Sequence, residues 1–131
     1  MATSPDISTA EREHGTQLAP RFDAAGLIAA VVCDATSGEV LVVACMNEEA
    51  LACTIKTKLV HFWSRSRQSL WMKGETSRNT LRVQEMRIDC DQDAVVIRAI
   101  PAGPICHTGA RGCFYRRVDL EGDEPILTPV A

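Results

Sequence analysis

The chain has 131 residues, 46% of them apolar and 24% charged, with a formal net charge of −3. That length fits one domain able to bury a core without disulfide staples. No apolar run approaches the roughly 20 residues of a bilayer span, and Met1 to Gln17 lacks the basic cap and apolar stretch of a secretory signal, so a membrane or exported protein is excluded as an expectation and the cytoplasm is favoured. The sequence pI of about 5.6 argues against a partner as long and as acidic as nucleic acid.

Met1 to about Pro20 is polar and aperiodic and reads as a flexible tail. Leu27 to Asp34 is a continuous apolar run ending in the turn Asp34-Ala35-Thr36-Ser37-Gly38, and Val40 to Cys45 is a second run; together they read as a hairpin of buried strands. Asn47 is placed to cap a helix whose first turn carries Glu48 and Glu49, and Leu51 and Ile55 share a face, which predicts a short helix to about Lys56. Leu59 to Ser64 and Leu70 to Lys73 read as strands, with a turn at Gly74, and Thr80 to Ile88 and Asp93 to Ile100 as a further antiparallel pair. Pro101 to Gly112, with two prolines and three glycines, must be a loop, and Cys113 to Val118 a last strand. The sum is a β-rich α+β domain over residues 21–118, with small mixed or antiparallel sheets and one clear helix. Tails flank it at 1–20 and, acidic and proline-containing, at 119–131.

Charge is unevenly spread. Residues 1–55 carry two basic side chains, Arg12 and Arg21, against eight acidic ones. Residues 56–87 carry eight basic ones and only Glu75 and Glu85 in opposition, a net charge of +6. A local reversal of this size inside an acidic chain points to an anionic ligand, with a solvated strand face as the plain alternative.

Six cysteines in a cytosolic chain read as metal-binding or catalytic rather than as a disulfide framework. Cys33, Cys45 and Cys53 lie among apolar residues and read as small buried hydrophobes. Cys90, Cys106 and Cys113 have polar or glycine-bearing neighbours. The string Cys106-His107-Thr108-Gly109-Ala110-Arg111-Gly112-Cys113 packs two thiols, a histidine and an arginine into one loop, a combination that neither a core nor a surface needs. Three thiolates suit zinc, and without a fourth or any Cys-x-x-Cys pair they leave a coordination position for water, the catalytic rather than the structural pattern. His107 fits a general base or proton shuttle better than a fourth ligand. His61 reads as a satisfied strand histidine and His14 as inert. In Asp89-Cys90-Asp91-Gln92-Asp93 an extended backbone would put the three carboxylates on one face and Cys90 on the other. Three such carboxylates suit a hard cation such as Mg²⁺, with an acidic surface turn as the alternative. An EF-hand is excluded, since Ala94 replaces its glycine and Ile100 its last glutamate. The His-x-Glu and Pro-Cys-x-x-Cys signature of the zinc nucleobase deaminases is also missing.

The order and spacing of several segments carry a resemblance. They are Met46-Asn47-Glu48-Glu49-Ala50-Leu51, Ser64-Arg65-Ser66-Arg67, Leu70-Trp71, Lys73-Gly74-Glu75-Thr76-Ser77, Asp89 to Asp93, Gly103-Pro104 and Cys106 to Arg116. From about Gly26 to Arg116 the chain resembles the phosphoribosyl-AMP cyclohydrolases, which act at the third step of histidine biosynthesis. The resemblance implies hydrolytic opening of the N1–C6 bond of the adenine ring of a small-molecule nucleotide, N1-(5-phosphoribosyl)-AMP. It implies one zinc per subunit on Cys90, Cys106 and Cys113, magnesium on Asp89, Asp91 and Asp93, and a reactive His107. It also implies substrate contacts from Arg65, Arg67, Trp71 and Lys73, from Glu75, Thr76 and Ser77, and from Arg111. The substrate's two phosphates would account for the basic segment. The family forms an intertwined homodimer that shares zinc between subunits. In some species it is fused to a pyrophosphohydrolase, for which this chain leaves no room, so a monofunctional chain is expected. Two positions depart from many relatives: Arg78 stands where they have glycine, and Cys45 where they have an aromatic residue. A nucleotide-binding module with purely structural zinc, and a redox protein pairing Cys106 with Cys113, are the competing classes.

Overall fold

The computed structural model describes residues 7–130. Its centre is a mixed four-stranded sheet of β1 (Ile28–Asp34), β2 (Val40–Met46), β5 (Leu81–Ile88) and β6 (Ala94–Pro101), in the order β2-β1-β6-β5. β1 and β2 form the expected antiparallel hairpin, with Val31 opposite Val43, and β5 pairs antiparallel with β6. β1 and β6 are parallel, with Val31 opposite Val96, a pairing too distant in sequence for local pattern to show. Alternation decides which side chains go inward: Ile28, Ala30 and Val32 of β1 and Val95, Ile97 and Ala99 of β6 are buried.

On that buried side lie helix α2 (Glu48–Thr57) and the hairpin β3 (His61–Ser64) with β4 (Ser69–Met72). The Asn47 side chain accepts a hydrogen bond from Ala50 N at 2.8 Å, and Lys58 ends the helix in a left-handed conformation. The buried face carries Ala50, Leu51 and Thr54, whereas Ile55 is exposed, contrary to the expected Leu51–Ile55 stripe. Thr54 replaces it for a reason beyond packing. Its hydroxyl donates to Ala50 O at 2.8 Å and accepts from His61 N at 2.9 Å, joining helix to strand. His61 itself is satisfied, its Nδ1 lying 2.8 Å from Leu59 O.

Other differences from expectation lie near the ends. A second helix, α1 (Thr9–His14), forms where no periodicity announced one, with the Ser8 hydroxyl accepting from Glu11 N at 3.0 Å. The last strand of the expected core is only β7 (Arg116–Val118), and it pairs with β8 (Leu127–Pro129), within the stretch read as a tail.

Among the described residues, the outer face of the main sheet is uncovered. Val43, Val96 and Ile100 are 47%, 40% and 42% exposed there, with Val31 between the first two.

Candidate active site

Two clusters form, each in a connection between strands. The first is the loop between β6 and β7. Its ends are closed by Ile105 N donating to Arg111 O and Cys106 N to Ala110 O, each at 3.1 Å, and Gly109 takes φ of +91° to complete the turn. Cys113 N donates to Leu41 O of β2 at 2.6 Å, which fixes the loop on the edge of the sheet. Gly112 permits that approach, because a Cβ there would sit 3.1 Å from Leu41 Cα.

The loop brings Cys106 and Cys113 close enough for each thiol to affect the ionisation of the other. Cys106 is buried and Cys113 exposed. The Thr108 hydroxyl, 3.1 Å from the Cys106 sulfur, and then the Thr108 backbone N–H hold the Cys106 thiol below its ordinary pKa, with Cys113 and Lys73 adding to the effect. Burial first, and then the Cys106 charge, push the Cys113 thiol up. The pair thus ionises at Cys106 first, and a cation that took both sulfurs would displace the second proton. Lys73, just past the end of β4, lies near enough for its charge to favour the ionised thiols, and its Nζ is 5.5 Å from the Trp71 ring centroid. Trp71 in turn lies against buried Phe62, the centroids 5.2 Å apart. His107 is exposed beside Cys106.

The second cluster lies between β5 and β6. Residues 89–93 form a turn, not the extended run that alternation assumed, because Gln92 takes φ of +58°. Asp89 Oδ1 accepts from Asp93 N at 2.9 Å and Ala94 N at 3.2 Å. The carboxylates of Asp89, Asp91 and Asp93 converge all the same, with ligand oxygens within 4.8 Å of one another. Their crowding shows in their acidity. Hydrogen bonds with Asp89 and then Asp91 push Asp93 up to about 6. Burial opposes the charge on Asp89, but hydrogen bonds from the Asp93 carboxyl and from the Asp93 and Ala94 N–H groups outweigh it and lower its pKa. Three oxygens at this spacing fit a hard divalent cation.

Among the described residues this trio is the only group of three or more convergent ligand side chains. Cys90, exposed on the acidic turn, therefore does not join Cys106 and Cys113 within one chain. Two thiols of the expected three share the cysteine loop, and the third lies on the acidic turn.

The remaining expected residues divide. Arg65 and Arg67 sit exposed in the β3–β4 turn, where the Ser64 hydroxyl accepts from Arg67 N at 3.2 Å. Glu75, Thr76 and Ser77 form the exposed turn after Gly74, whose φ of +88° and contact with Asn79 leave no room for a side chain. Arg111 is engaged by Glu39, with Nε to Oε1 at 2.9 Å and Nη2 to Oε2 at 3.2 Å. It braces the cysteine loop against the start of β2. Sequence reasoning missed this brace and the part played by Thr108. The hydroxyl two residues after Cys106 was the available signal for the second.

Comparison with known proteins completes the picture. The family model of the phosphoribosyl-AMP cyclohydrolases matches residues 42–115. Relatives bearing that name include proteins from Rhizorhabdus wittichii, 58% identical over 90% of this chain and 95% of the relative, and from Erythrobacter litoralis, 59% identical over 94% and 98%. A third, from Rhizobium rhizogenes, is 54% identical over 97% and 87%. The class so defined is that of hydrolytic enzymes built on a small strand-rich α+β domain. Within it, the chain belongs to the phosphoribosyl-AMP cyclohydrolase family.

Proposed function

We propose that the chain adds water to C6 of the adenine ring of N1-(5-phosphoribosyl)-AMP, breaking the N1–C6 bond to give the formimino-aminoimidazole carboxamide ribonucleotide. The observation that carries this is the pairing of Cys106 and Cys113 in one loop, with the Thr108 hydroxyl 3.1 Å from the Cys106 sulfur and favouring its ionised form, and with Lys73 held over Trp71. Zinc held by Cys106, Cys113 and the Cys90 of a second copy would supply the Lewis acidity that makes water nucleophilic near neutral pH. His107, exposed and adjacent to Cys106, would take the proton from the attacking water. Trp71 offers a face for the purine, and Lys73 a positive charge beside it. The basic turns at Arg65–Arg67 and after Lys73 suit the two phosphates. Magnesium on Asp89, Asp91 and Asp93 would offset the remaining charge of that cluster.

A homodimer is part of the proposal. Cys90 does not converge with Cys106 and Cys113 among the described residues of one chain, and an apolar sheet face stands exposed, so a second copy would satisfy both. Cytoplasmic residence follows from thiols that must stay reduced.

The test is an absorbance assay of ring opening with the chelated enzyme, followed by zinc and then magnesium add-back. Turnover should return with zinc, and Cys106→Ala and His107→Ala should each abolish it. Full turnover by a Cys106→Ala chain that had lost its zinc would refute the catalytic metal. Zinc binding without turnover in the unmutated chain would favour a binding module, and a reversible Cys106–Cys113 disulfide in place of zinc a redox protein.

A further inference from the structure

Gln92 lies at the middle of the acidic turn, 5% exposed, and adopts a left-handed backbone that glycine or asparagine would take more cheaply. Its side chain explains its presence. Oε1 accepts from Ala19 N at 2.8 Å, and Nε2 donates to Arg12 O at 2.9 Å and to Gln17 O at 3.2 Å. Its own carbonyl accepts from Arg21 N at 2.7 Å. One residue therefore grips four main-chain groups of the segment 12–21, across more than 70 positions of sequence. Every polar atom of the buried amide is used, so few other side chains could replace it.

The gripped segment faces ligands. Arg12, Gln17 and Leu18 form one wall of a cavity of about 290 Å³ whose other wall includes Asp89 and Cys90. On the far side Arg21 Nη1 lies 3.9 Å from Asp91 Oδ2. Among the described residues, the hydrogen bonds that main-chain groups of the turn make within it run only between Asp89 and residues 92–94, so the main chain at Cys90 and Asp91 is held from outside the turn. Like charges at that distance would otherwise splay the turn. The segment precedes residue 42, where the family match begins.

We infer that Gln92 is a positioning residue whose side chain clamps residues 12–21 against the acidic turn, making the N-terminal segment part of the site that orders Asp89, Cys90 and Asp91 for their cations. The cation half of this rests on the function proposed above, while the clamp itself does not.

The full-length holoprotein is compared with Gln92→Leu, which keeps volume, and Gln92→Asn, which suits the left-handed backbone but is one methylene too short to reach. Amide hydrogen exchange reads the clamp at Ala19 and Arg21 and the turn at Asp93 and Ala94. Mn²⁺ and Co²⁺ titrations read the carboxylate and thiolate sites. In both variants these amides should exchange faster, and both affinities should fall about tenfold, the scale of losing an outer support of a metal ligand. Unchanged exchange, faster exchange with unchanged affinity, or recovery in Gln92→Asn would each overturn the inference. Should Gln92→Leu not fold, Gln92→Asn decides alone. A wild-type chain that bound neither cation would defeat the metal sites, and the clamp would then stand or fall on exchange at Asp93 and Ala94.

Discussion

Asp93 makes the acidic turn sensitive to pH. With a pKa raised from 3.8 to about 6, the folded chain keeps a proton that the unfolded chain has released. The stabilisation from this group is therefore complete below about pH 4 and is lost as pH rises through 6. A divalent cation competes with the same proton, so Mn²⁺ affinity should climb between pH 5 and 7 and then level off. Asp93→Asn should flatten both the affinity profile and the fall in metal-free melting temperature over that range. Arg78 is a second case. Its φ of +68° is one that glycine adopts freely and an arginine does not. Arg78→Gly should raise stability by about 1 kcal/mol in urea unfolding, relief of left-handed strain outweighing the added chain entropy. At Gly112 the strain is steric. A methyl group there meets Leu41 backbone at 3.1 and 3.2 Å, so Gly112→Ala should displace Cys113 and lower kcat by tenfold or more while leaving the melting temperature nearly unchanged.

At the scale of elements, α2 hangs on Thr54. Thr54→Val keeps the shape but leaves the His61 N–H without its acceptor, and chemical denaturation should show a loss of about 1–3 kcal/mol that Thr54→Ser largely restores. The first hairpin and α2 were legible in the sequence because each rests on local signals: continuous apolar runs in β1 and β2, a turn at Asp34–Gly38, the Asn47 cap. What was not legible depends on partners far along the chain. Thr54 outranks Ile55 through a strand that has not yet formed when the helix pattern is read. The acidic residues were rightly grouped but on the wrong backbone, since the left-handed Gln92 that bends them is held by residues 12–21. The cysteine loop was visible from spacing, whereas its seat on Leu41 and its brace from Glu39 cross more than 70 positions.

For the whole molecule, the uncovered sheet face is the feature with most reach. Val96 ends the cross-strand row Val43, Val31, Val96 and has Arg87 as its other neighbour, so a charge there breaks the apolar row and sits beside a like charge. Val96→Lys should leave a folded monomer by light scattering, and one with zinc and turnover both lost if Cys90 is shared as proposed. The opposite margin of the sheet concerns β2, an outermost strand. Exposed strand margins recruit other chains by backbone pairing. Here the Cys113 N–H occupies the Leu41 carbonyl on that margin. The loop that carries the thiols is thus also a guard against self-templated sheet growth. Whatever pries it loose leaves behind a chain that is at once inert and adhesive, so inactivation and precipitation share a single trigger.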